Sequence, residues 1–455
     1  MSLHATRRQF LKTSTALGVG AFIAGPDLFA VERSPLERLN VASIGVGGKG
    51  ASDCDHIASF GNLVAICDID DQRLQAKGQT HPKAQKFHDF REMLDKLGKD
   101  IDAITVSTPD HTHAVAAMAG LRAGKHVYCQ KPLTWSVKEA RALAQVAREK
   151  KVCTQMGNQG TALDGFRTSI EVIRAGTIGQ VTEVHVWTDR CGPYWKQAPD
   201  VVARPADAPA VPAHVKWDLF LGPAPERPYH PAYHPFAWRG WRDFGTGALG
   251  DMACHTANMA FMALRLGSPT SISAEHSPVN SETFQQWATI TYEFPARGNL
   301  GPCKLVWWEG MRDGKRNLPS PELMFGEKPS NSGLLLKGTQ GTLFSPSDYG
   351  QSYVLFPKKD FEGFAEPTKV LSRNGNDNND YNQKKEFVAA IKLGRPEIAL
   401  ANFDYAGPFT EAMLLGNISI VTGKKLELDG AGLKFTNAPE ADKLLHREYR
   451  KGWTL

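Results

Sequence analysis

The stretch IGVGGKG, residues 44–50, decides the fold. Gly45, Gly47 and Gly50 spell G-x-G-x-x-G, with Val46, Gly48 and Lys49 between them, where the apolar run LNVASIGV meets the helical pattern ASDCDHIASF. Bare backbone at such a strand-to-helix turn lets a pyrophosphate approach the positive end of the helix. The next apolar run, NLVAICDI, brings Asp68 to 23 positions after Gly45. A carboxylate there accepts hydrogen bonds from both ribose hydroxyls of an adenosine and repels a 2′-phosphate. NAD is therefore favoured over NADP, while Lys49 inside the loop softens that preference and leaves NADP open.

Outward from this turn, short β-branched runs alternate with helical segments. Strands are expected at LNVASIGV, NLVAICDI, IDAITVST, KHVYCQ and VCTQMG, and helices at ASDCDHIASF, DFREMLDKLG, HTHAVAAMAGLRAG and SVKEARALAQVAREK. This alternation is the signature of a doubly wound parallel sheet. It ends at Asn158, so residues 36–158 are expected to form a Rossmann domain. A second α/β domain is expected over 159–455: a helix at 166–174, the strand VTEVHVWT, a Pro- and aromatic-rich passage over 191–242, and a helix over 251–266. The strands TSISAEH, QWATITYEF, CKLVWWE, GLLLKG and GTLFS then follow without intervening helices, which predicts a largely antiparallel open sheet. Helices over 381–393 and 408–422 close the chain.

Open parallel sheets bind ligands at the carboxyl ends of their strands. STPDHTH (107–113) and YCQKPLT (128–134) stand there, which puts Ser107, Thr108, Pro109, His113, Gln130, Lys131 and Asn158 beside Asp68 as cofactor-contact candidates. A lysine just past a strand end, beside a nicotinamide, can hydrogen-bond a substrate hydroxyl and favour its loss of a proton. Further on, GTGALGDMACHTANM places Asp251 and His255 four apart, on one face of a helix. That spacing permits His255 to act as general base or acid, with Asp251 orienting substrate or stabilising the imidazolium.

Taken together, IGVGGKG with CDID, STPDHTH, GKHVYCQKPLT and GTGALGDMACHTANM resemble the glucose-fructose oxidoreductase, inositol dehydrogenase and MocA family (Gfo/Idh/MocA) from Leu39 to near the C-terminus. The resemblance implies NAD(P)-dependent hydride transfer on a sugar or cyclitol, with Lys131, Asp251 and His255 as catalytic residues and the second domain in oligomer contacts. One departure matters: the family's usual E-K-P is Gln130-Lys131-Pro132 here. An amide does not favour a nearby positive charge as a carboxylate does. A later family Asp is replaced by Asn258.

Aromatic and cationic residues over 187–242 suit the C–H faces and hydroxyl edges of a sugar. Trp187, Arg190, Trp238 and Arg239 are the substrate-contact candidates, although for any single one of these residues packing of the loop or an oligomer interface is the better account. Pro231 and Pro235 argue against a helix carrying His230 and His234, and no metal is assigned.

TRRQFLK (6–12), a short apolar run and small residues before Val31 read as a twin-arginine export signal over 1–30, with a periplasmic or cell-envelope destination. The run is too short to span a bilayer. The net charge is +5 over the 455 residues and +3 once Arg7, Arg8, Lys12 and Asp27 leave with the signal, too weak to argue for nucleic acid or a membrane surface. Seven cysteines without C-x-x-C spacing read as buried free thiols. Export sharpens the chemistry. Outside the cytoplasm there is no evident pool of NAD, so a cofactor that travels with the folded chain must be restored within each cycle. A second sugar can be reduced in turn. Alternatively, a 3-keto intermediate of the same sugar can lose its C1 substituent, take up water and be re-reduced, giving a redox-neutral glycosidase or lyase. A non-catalytic sugar-binding protein is the third reading.

Overall fold

The computed structural model describes residues 38–191 and 194–455. The export-signal reading falls on residues 1–30, outside the described residues.

Six parallel strands form the first sheet: β1 (Leu39–Ile44), β2 (Gly61–Cys67), β3 (Gln85–Phe87), β4 (Ala103–Val106), β5 (His126–Cys129) and β6 (Thr154–Met156). Their order is β3-β2-β1-β4-β5-β6, so the winding reverses between β1 and β4. A crevice at the carboxyl ends of those two strands is the ligand position such a sheet provides. The crossovers are α1 (Lys49–Phe60), α2 (Asp71–Thr80), α3 (Phe90–Leu97), α4 (Asp110–Arg122) and α5 (Val137–Lys150). A capping box starts α5, with the Ser136 amide donating to Glu139 at 2.8 Å. The short edge strand β3 and the polar helix α2 were not anticipated. In α2 the only buried apolar residue is Leu74, and the helix is set by its cap: the Asp70 carboxylate accepts from the Gln72 amide at 2.9 Å.

The second half contains α6 (Asp164–Arg174), β7 (Val181–Thr188), α7 (Trp217–Leu221), α8 (Gly247–Thr256) and α9 (Asn258–Ala263). There follow β8 (Ser271–His276), β9 (Trp287–Phe294), β10 (Cys303–Arg312), β11 (Lys315–Arg316), β12 (Gly333–Gly338), β13 (Thr342–Ser345) and β14 (Val354–Phe356). Two helices, α10 (Asn379–Leu393) and α11 (Phe403–Thr422), precede β15 (Leu426–Asp429) and β16 (Lys434–Phe435). The sheet runs β14-β13-β12-β7-β10-β9-β8-β15-β16, with β11 on β10. It is mostly antiparallel, but β7 and β10 pair in parallel, because the long passage and α8–α9 carry the chain over before the β8-β9-β10 meander returns. The helix expected over 251–266 begins earlier, at Gly247, and breaks at Ala257. The last helix begins at Phe403, ahead of Pro408, because the Asn402 side chain caps the amides of Asp404 and Tyr405 at 3.1 and 3.3 Å.

One hydrophobic core runs through both halves, from Ile104 and Leu143 through Phe166 and Val184 to Leu415. Each fully buried Leu, Ile or Phe in it is worth about 1.5–3 kcal/mol relative to exposure. At the seam α5 and α11 approach closely: a Cβ on Gly407 would meet the Ala144 Cβ at 2.9 Å. All seven cysteines are buried free thiols. Among the described residues no helix is long and apolar enough to cross a membrane.

Candidate active site

A cavity of about 520 Å³ opens at the carboxyl ends of β1 and β4 and reaches α8 in the second half. Its floor is the glycine turn. Gly45 has φ +79°, and a Cβ there would lie 2.5 Å from the Ser107 carbonyl oxygen; one on Gly50 would lie 2.1 Å from the Gly45 oxygen. Only glycine permits this close passage of three backbone segments. Gly48, at φ +52°, faces open space. At one end stands Asp68, whose two carboxylate oxygens accept the amides of Val46 at 2.8 Å and Asp70 at 3.0 Å. Burial raises its pKa, against those amide hydrogen bonds. Each oxygen keeps a lone pair for a further donor. A turn of bare backbone, the start of α1, an acidic residue after β2 and a cavity of this size fit a dinucleotide.

The other end holds the chemistry. Lys131, just past β5, donates to Asp251 Oδ1 at 2.5 Å and to the Asp251 carbonyl oxygen at 3.3 Å. Arg239 Nε lies 3.3 Å from the same Oδ1, and its guanidinium also reaches Asp110 at 2.8 Å. Burial alone would raise the Asp251 carboxyl, but Arg239 and Lys131 more than offset it and hold the group well below the usual carboxylate range. Asp251 is thus ionised, and two cations face two carboxylates. His255, one turn on in α8, stands edge-on to Tyr349 with ring centroids 4.7 Å apart. Burial, with the Lys131 charge added, pushes its pKa well below 6.5, so the ring is neutral. Its Nδ1 is buried without a hydrogen-bond partner.

Of the residues singled out in the sequence, the cavity lining brings together Gly45, Gly47, Gly48, Lys49, Asp68, Ser107, Thr108, Pro109, Gln130, Lys131, Arg190, Trp238, Arg239, Asp251 and His255. Several expected residues stand apart from it. Trp187 is 0 % exposed, stacked on Phe344 in the core beneath the second sheet, and is no part of the substrate wall. The His113 ring nitrogens each lie 2.7 Å from a carbonyl oxygen, those of Pro132 and Thr108, so this residue ties two loops together. Asn158 is buried away from the cavity, close to Gln383. Val46 contributes its amide to Asp68, and Gly50 contributes clearance. Lys49 lines the cavity, but its ammonium is held by Asp53 at 2.6 Å and Asp380 at 2.7 Å rather than left for a 2′-phosphate.

Sequence reasoning missed Asp348 and Tyr349, which also line the cavity, as do Tyr194 and Trp195 from the aromatic passage read as sugar-facing. It also missed the reason for Gln130. The Gln130 amide donates to Asp53 Oδ2 at 2.8 Å, and Ser107 Oγ donates to the same oxygen at 2.8 Å. The other oxygen of Asp53 lies 2.6 Å from the Lys49 ammonium and 2.5 Å from that of Lys384. Burial raises the Asp53 carboxyl, but the two lysines outweigh it and hold it at about 2. A glutamate at position 130 would put one buried carboxylate against another.

Two family models match the chain: the oxidoreductase family, NAD-binding Rossmann fold, over residues 39–158, and the C-terminal alpha/beta domain of the same oxidoreductase family over 166–313. Among curated proteins, inositol 2-dehydrogenase of Salmonella typhimurium is 28% identical over 149 residues, covering 31% of this chain and 44% of that protein. A glycosyl hydrolase family 109 protein of Shewanella pealeana is 27% identical over 203 residues, 38% of this chain and 44% of that protein. The matches thus span less than half the length of these relatives. Among solved structures, an inositol dehydrogenase homologue from Azotobacter vinelandii, complexed with NADH and myo-inositol, shares the fold at a TM-score of 0.56 and 14% identity, over 86% of this chain and 98% of that one.

Proposed function

Because the chain belongs to the Gfo/Idh/MocA oxidoreductase family, with its NAD-binding Rossmann fold, we propose that it is a sugar oxidoreductase working with NAD that stays bound between turnovers. NAD, held by the glycine turn, Asp68 and the 107–109 loop, supplies the hydride acceptor or donor. The protein's own residues manage the proton and the geometry. A sugar hydroxyl seated between Lys131 and His255 would give its proton to the neutral imidazole while its carbinol carbon loses hydride, for which the nicotinamide would be the acceptor, leaving a carbonyl. The imidazolium so formed is stabilised by ionised Asp251 one helical turn away, and Lys131 hydrogen-bonds the oxygen as charge builds on it. Trp238, Trp195 and Tyr349 give the ring its apolar faces, and Arg190 and Arg239 address its hydroxyls.

The observation that carries this reading is a neutral, buried His255 beside the Lys131–Asp251 ion pair, in one cavity with the glycine turn. Denaturing the purified protein and identifying the released nicotinamide by ultraviolet absorbance and mass spectrometry tests retention. A sugar panel followed at 340 nm tests the redox step. A protein with neither bound nicotinamide nor affinity for it defeats the proposal, and a Lys131→Met variant with full turnover removes the role given to that lysine.

A second reading has its own support in the family 109 glycosyl hydrolase relative and in the export signal read at TRRQFLK. In it the oxidised sugar is re-reduced after losing its C1 substituent, so the reaction is redox-neutral. Release of free aglycone from a glycoside without added NAD favours this second reading; reduction of one sugar only when another is oxidised favours the first.

A further inference from the structure

Much of the aromatic passage between β7 and α8 lies against the parallel sheet. Val215 forms an antiparallel bridge with Asp70, just beyond β2. The Asp71 amide donates to the His214 carbonyl at 2.8 Å, and the Lys216 amide donates to the Ile69 carbonyl at 2.9 Å. The Ile69 side chain packs into a cluster with Trp217, Phe220 and Tyr233. From α4, the His111 ring reaches the Phe220 carbonyl at 2.7 Å and the Phe244 carbonyl at 3.2 Å. The segment is therefore anchored at both β2 and α4, although no sequence motif marks it.

Its inner side lines the cavity. Phe220, His234, Pro235 and Phe236 share it with Asp68 and Arg73, at the end where the acidic residue follows β2. His234 is 4 % exposed and its Nε2 has no hydrogen-bond partner. A ring nitrogen buried without a protein partner in a cavity wall is open to a polar ligand that reaches it. Phe236, by contrast, is 67 % exposed, at the mouth of the cavity.

We propose that residues 214–236 form a clamp over the adenosine half of bound NAD. His234 hydrogen-bonds that half, and the anchoring of the segment on β2 and α4 slows release of the cofactor between turnovers. The inference rests on the NAD-retaining reading above and assigns retention to this passage rather than to the glycine turn alone.

The test uses the full chain loaded with NADH. Dissociation is followed by loss of tryptophan-to-NADH energy transfer after a chase with excess NAD, and cofactor stoichiometry is measured after gel filtration. His234→Phe keeps an aromatic ring at the position and removes both nitrogens. Lys216→Pro deletes the amide bonded to Ile69. Each is expected to release NADH about tenfold faster than the parent, the equivalent of one hydrogen bond, with circular dichroism of the cofactor-free chains unchanged and melting unchanged in His234→Phe, whereas Lys216→Pro, which loses a bond the cofactor-free chain also makes, melts slightly earlier. Parent-like release from both variants overturns the clamp while leaving the oxidoreductase reading intact. Parent-like release from His234→Phe alone overturns the His234 contact. A parent chain with no affinity for NADH overturns the oxidoreductase reading itself.

Discussion

Gln130→Glu is the perturbation that most directly examines how this site is charged. Gln130 donates to fully buried Asp53 at 2.8 Å, so an introduced carboxyl would stand at hydrogen-bond distance from an existing carboxylate. At an effective dielectric of about 20, two unit charges about 3.5 Å apart repel by about 5 kcal/mol, enough to raise the new acid from about 4.3 to about 8. Below that pH the acid keeps its proton and donates it to Asp53 in place of the lost amide. The folded pKa is raised, so the variant is close to the parent below the unfolded pKa and loses stability as pH rises towards the folded one. Between roughly pH 4.5 and 8 the loss grows by about 1.4 kcal/mol per unit, to about 3.5 kcal/mol at pH 7. Denaturant unfolding followed by circular dichroism at pH 5 and pH 7.5 measures it. With Asp53→Asn in the same chain, the pH dependence of the substitution at 130 should disappear. A variant as stable as the parent at pH 7.5, or one whose loss is the same at both pH values, refutes the reasoning.

Gly50→Ala should weaken NADH binding at least about tenfold in a fluorescence titration, since a Cβ 2.1 Å from the Gly45 oxygen forces the turn apart; parent affinity would contradict the role given to the turn. Because burial and Lys131 hold His255 well below 6.5, the low-pH limb of kcat should stay flat down through pH 6.5, and an inflection there would contradict the lowered pKa given to His255. His255→Phe should lower kcat about 100-fold or more with NADH affinity unchanged. Glu309 is 0 % exposed, and burial pushes its carboxyl up to about 7 despite hydrogen bonds from Trp307 and Gln285. Its raised pKa makes the parent lose roughly 3 kcal/mol of stability between pH 4.5 and 7, so Glu309→Gln should flatten that part of the melting-temperature profile.

What the sequence disclosed follows from how local each constraint is. IGVGGKG and Asp68 were legible because a strand, a turn without side chains and a carboxylate at a set distance are a requirement on consecutive backbone. Lys131, Asp251 and His255 were legible as residue types, through family resemblance, but the ion pairs that tie Lys131 and Arg239 to Asp251, and Arg239 to Asp110, were not. Neighbourhood within a motif misled at His113 and Asn158, because a motif residue can fix the loops that make a site without facing it. Trp187 misled for a different reason: β7 is covered on both faces, so its alternation does not say which aromatic meets the cavity. Tyr349 and His234 arrive on irregular segments with no period to read, and Phe220 sits on a five-residue helix too short to show one. Gln130 combines these cases. Its departure from E-K-P was visible at once, yet its partner is Asp53, a residue that itself stays charged because Lys384 from α10 and Lys49 both face it. The amide at 130 thus belongs to a charge balance around Asp53 that is shared by both halves of the chain, which the motif alone does not disclose.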